Sequence, residues 1–296
     1  MKRRQMLWSL LLVFASLICW FAQGEKEKFT FVVYGDCRTN HDVHRAIIAQ
    51  ILNFKPKFVL CTGDLVSRGS IAEQWETFFE IVKPITDGKI PYIPVKGNHD
   101  IDSGTGLWEK AVERLDVRPN TGNPNYFSVR FGDVHIAVLD SNSIFEGEAQ
   151  ILWLEREIGE SKSPHKFVAL HHPLFTLRER RAAEAERFRQ RLQPIFNRLK
   201  ICAVFAGHDH HFYLTKREGI TYITTGGGGA PLYDLDPSSA QDGDTFLKAY
   251  HFIVVEVEGG KVEGTVIGMD GEKLKLDGKG ENPFVICNHY LKSGGS

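Results

Sequence analysis

The sequence has no surplus of charge of either sign: 36 Lys and Arg stand against 37 Asp and Glu, a formal net charge of -1. A global field that would draw in nucleic acid or an acidic membrane is therefore excluded, and any affinity for phosphate must be built locally. Cysteine is scarce too. Five in 296 residues are no framework for a small disulfide-stapled fold, although one pair stays open. Cys61 and Cys202 lie in apolar runs and read as small buried hydrophobes. There is no persuasive internal repeat, and low complexity is limited to the glycine run at 226–229 and a Gly-Ser tail.

What is present is ordinary for a soluble globular protein of one large domain or two small ones: 42% hydrophobic and 25% charged residues. The long apolar run is at the start. "MKRR" is followed by 17 apolar-rich residues and then by small Ala22 and Gly24 before a polar stretch, the order expected of a secretory signal. That run is long for a signal core and short for a membrane span, so residues 1–24 read as a cleaved signal or an uncleaved N-terminal anchor. Bulky Ile18 before Cys19 argues against a lipoprotein signal. Export to a periplasm or the extracellular space is expected, with membrane contact only through this segment if it is retained.

From residue 25 onward short apolar runs alternate with helical periodicity. "KFTFVVYGD", "KFVLCTGD" and "IPYIPVKGNHD" are separated by "VHRAIIAQILNF" and "IAEQWETFFEIVKPI", a pattern that suggests βαβ crossovers and a largely parallel, buried sheet. "VHIAVLD", the helical "EAQILWLEREI", "KFVALHHP", a charged helix from about Arg180 to Leu199 and "ICAVFAGHDHH" follow. Beyond the glycine run, "YHFIVVEVEGGKVEGTVIGMDGEKLKL" reads as strands joined by glycine turns.

Five apolar runs end in "GDCR", "GD", "GNHD", "HHP" and "GHDHH", and six of the twelve histidines lie in these loops. In an open α/β sheet such ends share the carboxyl edge, where ligands bind. Singly each motif has a bland alternative: "GD" is more often a turn or helix cap, and "HHP" a structural pair. "GNHD" stands evenly between loop and site, whereas "GHDHH" presents two imidazoles on alternate residues. Together, five strand ends with compatible Asp, Asn and His ligands point to a borderline divalent metal such as Zn, Mn or Fe.

In this order the motifs resemble the signature of the calcineurin-like metallophosphoesterases, including their purple acid phosphatase branch, across residues 35–210. The resemblance implies that residues 25–296 form an α/β domain, a four-layer α/β/β/α sandwich of two mixed sheets with a dinuclear metal centre at one rim. Carried over, it makes Asp64 a carboxylate bridging two metal ions. Asp36 and His210 would complete the first site; Asn98, His171 and His208 the second. His99 would stand beside the substrate, with Asp100 orienting it. Two cations about 3.5–4 Å apart activate water and neutralise charge during in-line displacement at phosphorus.

The chain departs from that pattern at Arg38, where many members carry a histidine ligand. A guanidinium cannot ligate a metal, so Arg38 reads as a phosphate clamp or as a partner to a nearby carboxylate. Ser67 stands where purple acid phosphatases carry a tyrosine ligand, which predicts a colourless protein. His172 is expected to support the site, His211 to face solvent, and His135 and His251 to be satisfied structural histidines. "RERRAAEAERFRQR", interleaved with Glu179, Glu184 and Glu186, reads as a solvated helix face, though Arg178 and Arg180 lie close enough to "HHPLF" to reach a substrate. The glycine run lacks the strand-to-helix setting of a nucleotide loop and reads as a flexible wall of the site.

The expected activity is an exported, metal-dependent phosphoester hydrolase acting on a small-molecule phosphoester through two metal ions (Mn, Fe or Zn). The alternatives are a phosphate-ligand-binding or scaffold protein of the same fold, and a nuclease, which the lack of a continuous basic channel disfavours, so no nucleic-acid partner is expected. The oligomeric state is not encoded in any readable pattern.

Overall fold

Alternation along the first strand sets up the architecture. In β1 (Lys28–Tyr34) Phe31 and Val33 point one way and Val32 and Tyr34 the other, and all four are buried; such a strand needs cover on both faces. The computed structural model describes residues 28–278 and 280–289, so the N-terminal signal or anchor segment, 1–24, lies outside the described residues. After β1 come α1 (His41–Asn53), β2 (Val59–Cys61), α2 (Ala72–Asp87), β3 (Tyr92–Pro94), α3 (Leu107–Arg114), β4 (Phe127–Phe131) and β5 (Val134–Val138). Then follow α4 (Ala149–Gly159), β6 (His165–Ala169), a short 3-10 turn (Glu179–Arg181), α5 (Ala182–Leu199), β7 (Ala203–Ala206), β8 (Phe212–Arg217) and β9 (Ile220–Thr225). The chain ends in β10 (Thr245–Leu247), β11 (His251–Glu258), β12 (Lys261–Gly268), β13 (Asp277–Gly278) and β14 (Phe284–Asn288).

These strands form two mixed sheets, ordered β14-β12-β11-β1-β2-β3 and β13-β10-β8-β9-β7-β6-β5-β4. β1, β2 and β3 are parallel, as are β9, β7, β6 and β5, while β11 pairs antiparallel with β1. Three apolar clusters divide the molecule into layers. Phe31, Val33, Leu60, Phe167, Phe205 and Val255 meet between the sheets. Val32, Tyr34 and Val59 face α1, α2 and α3 through Ile47, Phe78 and Trp108. Ala137, Val168 and Val204 face α4 and α5 through Leu154, Phe188 and Leu192. The result is the expected four-layer α/β/β/α sandwich.

The expected single sheet changes. The five motif-bearing strands do not lie in one sheet: β1, β2 and β3 belong to the first, β6 and β7 to the second. The helical connections made all five look like successive members of one parallel array, and local sequence cannot show that the chain crosses to another sheet after β3. Among the described residues no helix is long and apolar enough to cross a membrane.

Cys202, just before β7, is disulfide-bonded to Cys287 in β14, which corrects the expectation of a buried free thiol and staples the edge of one sheet to the other. Cys37 and Cys61 are buried and free.

Candidate metal centre

Each motif begins where a buried strand stops. Asp36 follows β1, Asp64 follows β2, Asn98 follows β3, His171 follows β6, and His208 and His210 follow β7. Asp36, Asp64 and His208 adopt left-handed backbone, with φ of 58°, 56° and 69°. For residues with a Cβ this costs about 1–3 kcal/mol each and persists only where the surroundings enforce it. Cross-loop bonds do so: the Asp36 amide donates to the Gly63 carbonyl at 2.9 Å, and the Gly207 amide to the His171 carbonyl at 3.0 Å. The loops are so close that a Cβ on Gly207 would lie 2.6 Å from Asp36 Oδ2.

The side chains converge. His171 Nε2 and His208 Nδ1 lie 3.1 and 3.0 Å from Asn98 Oδ1 and 3.3 Å from one another. His171 Nε2 is 3.4 Å from Asp64 Oδ1, and His210 Nε2 is 3.4 Å from Asp36 Oδ1. Ligand atoms of Asp36, Asp64 and His171 all fall within 4.8 Å of one another. Every one of these side chains except Asn98 is buried.

The outer bonds decide which nitrogens carry protons. His171 Nδ1 sits 2.8 Å from the Thr62 carbonyl and His210 Nδ1 2.7 Å from that of Pro231. A carbonyl only accepts, so these are Nδ1–H groups and each Nε2 presents a lone pair inward. His208 is turned round: its Nε2 faces Glu184 Oε2 at 3.3 Å, which leaves Nδ1 as the inward atom. Three imidazole lone pairs, an amide oxygen and two carboxylates therefore meet in a largely buried site. Without a cation such a set repels itself; with one it is a ligand shell whose outer contacts fix the rings.

Electrostatics follow the same geometry. Burial alone would raise the Asp36 carboxyl, but His210, His171 and the His208 amide outweigh it and hold it below the usual range. Burial opposes charge on His171, yet Asp64 and Asp36 raise it. Burial, with His171 and His172 adjacent, drives His208 far down.

Other predicted residues are placed differently. Asp100 does not touch the His99 ring. Its two oxygens accept the amides of Asp64, Leu65, Val66 and Gly97 at 2.8–3.1 Å, so it shapes the Asp64 turn; burial and Asp64 push its carboxyl up to about 7. His99 Nδ1 lies 2.9 Å from the Ser67 carbonyl, which leaves Nε2 for a ligand. Arg38 donates Nε to Asp64 Oδ2 at 3.2 Å. Ser67 turns away, its hydroxyl donating to the Arg38 carbonyl at 2.9 Å.

His211, expected to face solvent, is fully buried. The glycine run folds back over it: the Gly226 amide donates to the His211 carbonyl at 3.2 Å. Nor is that run a flexible wall. It is buried throughout, the Gly228 amide donates to the Gly35 carbonyl and that of Ala230 to the Asp36 carbonyl, and a Cβ on Gly228 would lie 2.3 Å from the Gly35 oxygen. His172 packs on the site through Ser141 Oγ at 2.8 Å and a ring contact with His208. His135 meets Ser161 and His251 meets Thr225, as structural histidines do. Sequence reading missed Glu184, because its charged neighbours resemble a solvated face; its place in the first turn of α5, after "HHP", was the available signal.

Comparison with known proteins places this geometry. The profile of the calcineurin-like phosphoesterases matches residues 29–212, more than half of the chain. A phosphoenolpyruvate phosphatase of Allium cepa is 29% identical over 226 residues, 70% of this chain and 46% of the relative. Tartrate-resistant acid phosphatase type 5 of Oryctolagus cuniculus is 26% identical over 274 residues, covering 78% of this chain and 82% of the relative. Among solved structures, purple acid phosphatase PPD1 from yellow lupin (Lupinus luteus) seeds superposes with a TM-score of 0.72 at 17% identity, over 90% of this chain and 55% of that one. This chain spans about half the length of the plant relatives it matches. By the profile match and the shared fold, the chain belongs to the calcineurin-like phosphoesterase family.

Proposed function

We propose that the protein is a hydrolase of small phosphoesters that works with two metal ions, in an oxidising compartment outside the cytosol. The observation that carries this reading is the inward convergence of unprotonated imidazole nitrogens on carboxylate and amide oxygens. The residues fit the group. His210, Asp36 and Asp64 would hold one ion, and Asp64, Asn98, His171 and His208 the other. An oxygen and imidazole set without thiolate suits Mn, Fe or Zn. Ions bound there supply positive charge opposite the phosphoryl oxygens and a more acidic attacking water.

The remaining work falls to side chains. Neutral Asn98 limits negative charge that would repel a phosphate. Arg38, tethered to Asp64 through Nε, keeps its two terminal nitrogens for a phosphoryl oxygen. His99, its Nδ1 held by the Ser67 carbonyl, keeps Nε2 free to meet the leaving oxygen. Asp100 fixes the turn that aims Asp64. The Cys202–Cys287 disulfide supports export, since such bonds persist outside the reducing cytosol.

The test is hydrolysis of nitrophenyl phosphate and bis-nitrophenyl phosphate by protein supplemented in turn with Mn, Fe, Zn or Co. Turnover of at least one ester is expected, falling on the order of 10²–10³-fold or more in Asp64→Asn. No turnover with any metal, or equal rates in the variant, would leave a phosphate-binding protein of the same fold.

A further inference from the structure

Beside the metal-ligand set lies a group of cations that the chemistry above does not use. The Tyr233 ring stacks on His210 with centroids 3.9 Å apart and planes inclined by 16°. Onto Tyr233 packs the Arg178 guanidinium, 3.7 Å from the ring centre, with those of Arg180 and Arg181 each at 5.4 Å. The assembly is pinned by backbone: the Tyr233 amide donates to the His210 carbonyl at 3.1 Å, and that of Asp236 to the Leu177 carbonyl at 3.0 Å.

The three arginines are not equivalent. Arg181 is committed, with Nη1 2.8 Å from the His208 carbonyl and 3.1 Å from Asp209 Oδ1. Arg178 buries Nε and Nη1 without a hydrogen-bond partner. Arg180 is exposed and, among the described residues, has no acidic partner. The nearby carboxylate of Asp234 is taken by Lys248 at 2.5 Å. Burial first, then the adjoining Arg180 and Arg181, pull the Arg178 guanidinium below its ordinary value, with Asp209 offsetting only part of this. An anion at Arg180 and the Nη2 side of Arg178 would balance the excess positive charge, and the guanidinium fork suits phosphate oxygens.

The geometry points to a second anion subsite formed by Arg178 and Arg180 on the Tyr233 ring, which selects substrates bearing another phosphoryl group next to the one being cleaved. One aromatic ring separates this subsite from His210, so the two anionic groups must be close neighbours, as in a diphosphate. The substrate role rests on the hydrolase reading; the anion preference does not.

The test uses the full chain in the presence of manganese, titrated calorimetrically with methylphosphonate and with methylenediphosphonate, whose bridging carbon resists cleavage. The diphosphonate is expected to bind about tenfold more tightly or better, and the ratio of the two dissociation constants to fall about tenfold in Arg178→Met and in Arg180→Met. Arg178→Lys, which keeps charge without the fork, should recover part of the ratio. Because Arg180 is exposed, its variant reads the subsite even if Arg178→Met fails to fold. A ratio near one in the unaltered chain, or an unchanged ratio in Arg180→Met, would overturn the proposal. If the ratio holds but no phosphoester is hydrolysed, the hydrolase reading fails alone; hydrolysis with a ratio near one fails only the subsite.

Discussion

His171 and His210 each donate Nδ1–H to a backbone carbonyl, and His208 points Nε2 at a carboxylate. Those three outer contacts matter as much as the ligands, because they decide which nitrogen faces inward. Two of the three use main chain and are invisible in the sequence. The third uses Glu184, whose side chain is about half exposed. Replacing it with Gln should lower metal affinity roughly tenfold while leaving the melting temperature of the metal-free protein nearly unchanged, as measured by chelator competition and thermal denaturation. Equal affinities would show that Glu184 does not hold His208. The six residues proposed as ligands were legible as a candidate set because their types and order are unusual together. Arg38, Asp100 and His211 were legible only as chemistry: their placement depends on how loops from different strands cross.

At the scale of elements, rigidity comes from strands buried on both faces and from helices that cover them. α1 is tied to the first sheet by a buried chain of hydrogen bonds, His44 Nε2 to Tyr34 OH at 3.0 Å and Tyr34 OH to Tyr92 OH at 2.7 Å. Burial, with His41 and Arg45 nearby, pulls the His44 imidazole down to about 3. It stays neutral in the folded protein while the unfolded chain takes up a proton below about pH 6.5. The unfolded state thus binds more protons between roughly pH 3 and 6.5, so stability rises with pH there and is lost on acidification, by on the order of 1 kcal/mol per pH unit. Urea denaturation at pH 7 and pH 5 should show the unaltered chain losing more stability than His44→Gln; identical losses would contradict the role given to His44. Periodicity revealed most strands and helices, since a buried strand and an amphipathic helix differ in their repeat. It could not assign β6 and β7 to a second sheet, because strand partnership is a long-range property.

Across the whole molecule, two sheets must keep a fixed relation for their strand ends to meet. The apolar layer between them does most of this, and the Cys202–Cys287 bond, which spans 85 residues of sequence, closes the far edge. Sequence left one pair open but could not name it, since cysteine partners depend on the sheet order. Changing both to Ser should cost about 2–4 kcal/mol of stability, read from chemical denaturation of the oxidised chain and the double variant. No difference would mean that the staple is redundant with the core. The same assembly brings donors from five strands to one point. Its most direct test is anomalous X-ray scattering from crystals soaked in manganese or zinc. The account predicts two peaks, one contacted by Asp36, Asp64 and His210 and the other by Asp64, Asn98, His171 and His208. A single peak elsewhere, or none at these side chains, would contradict it.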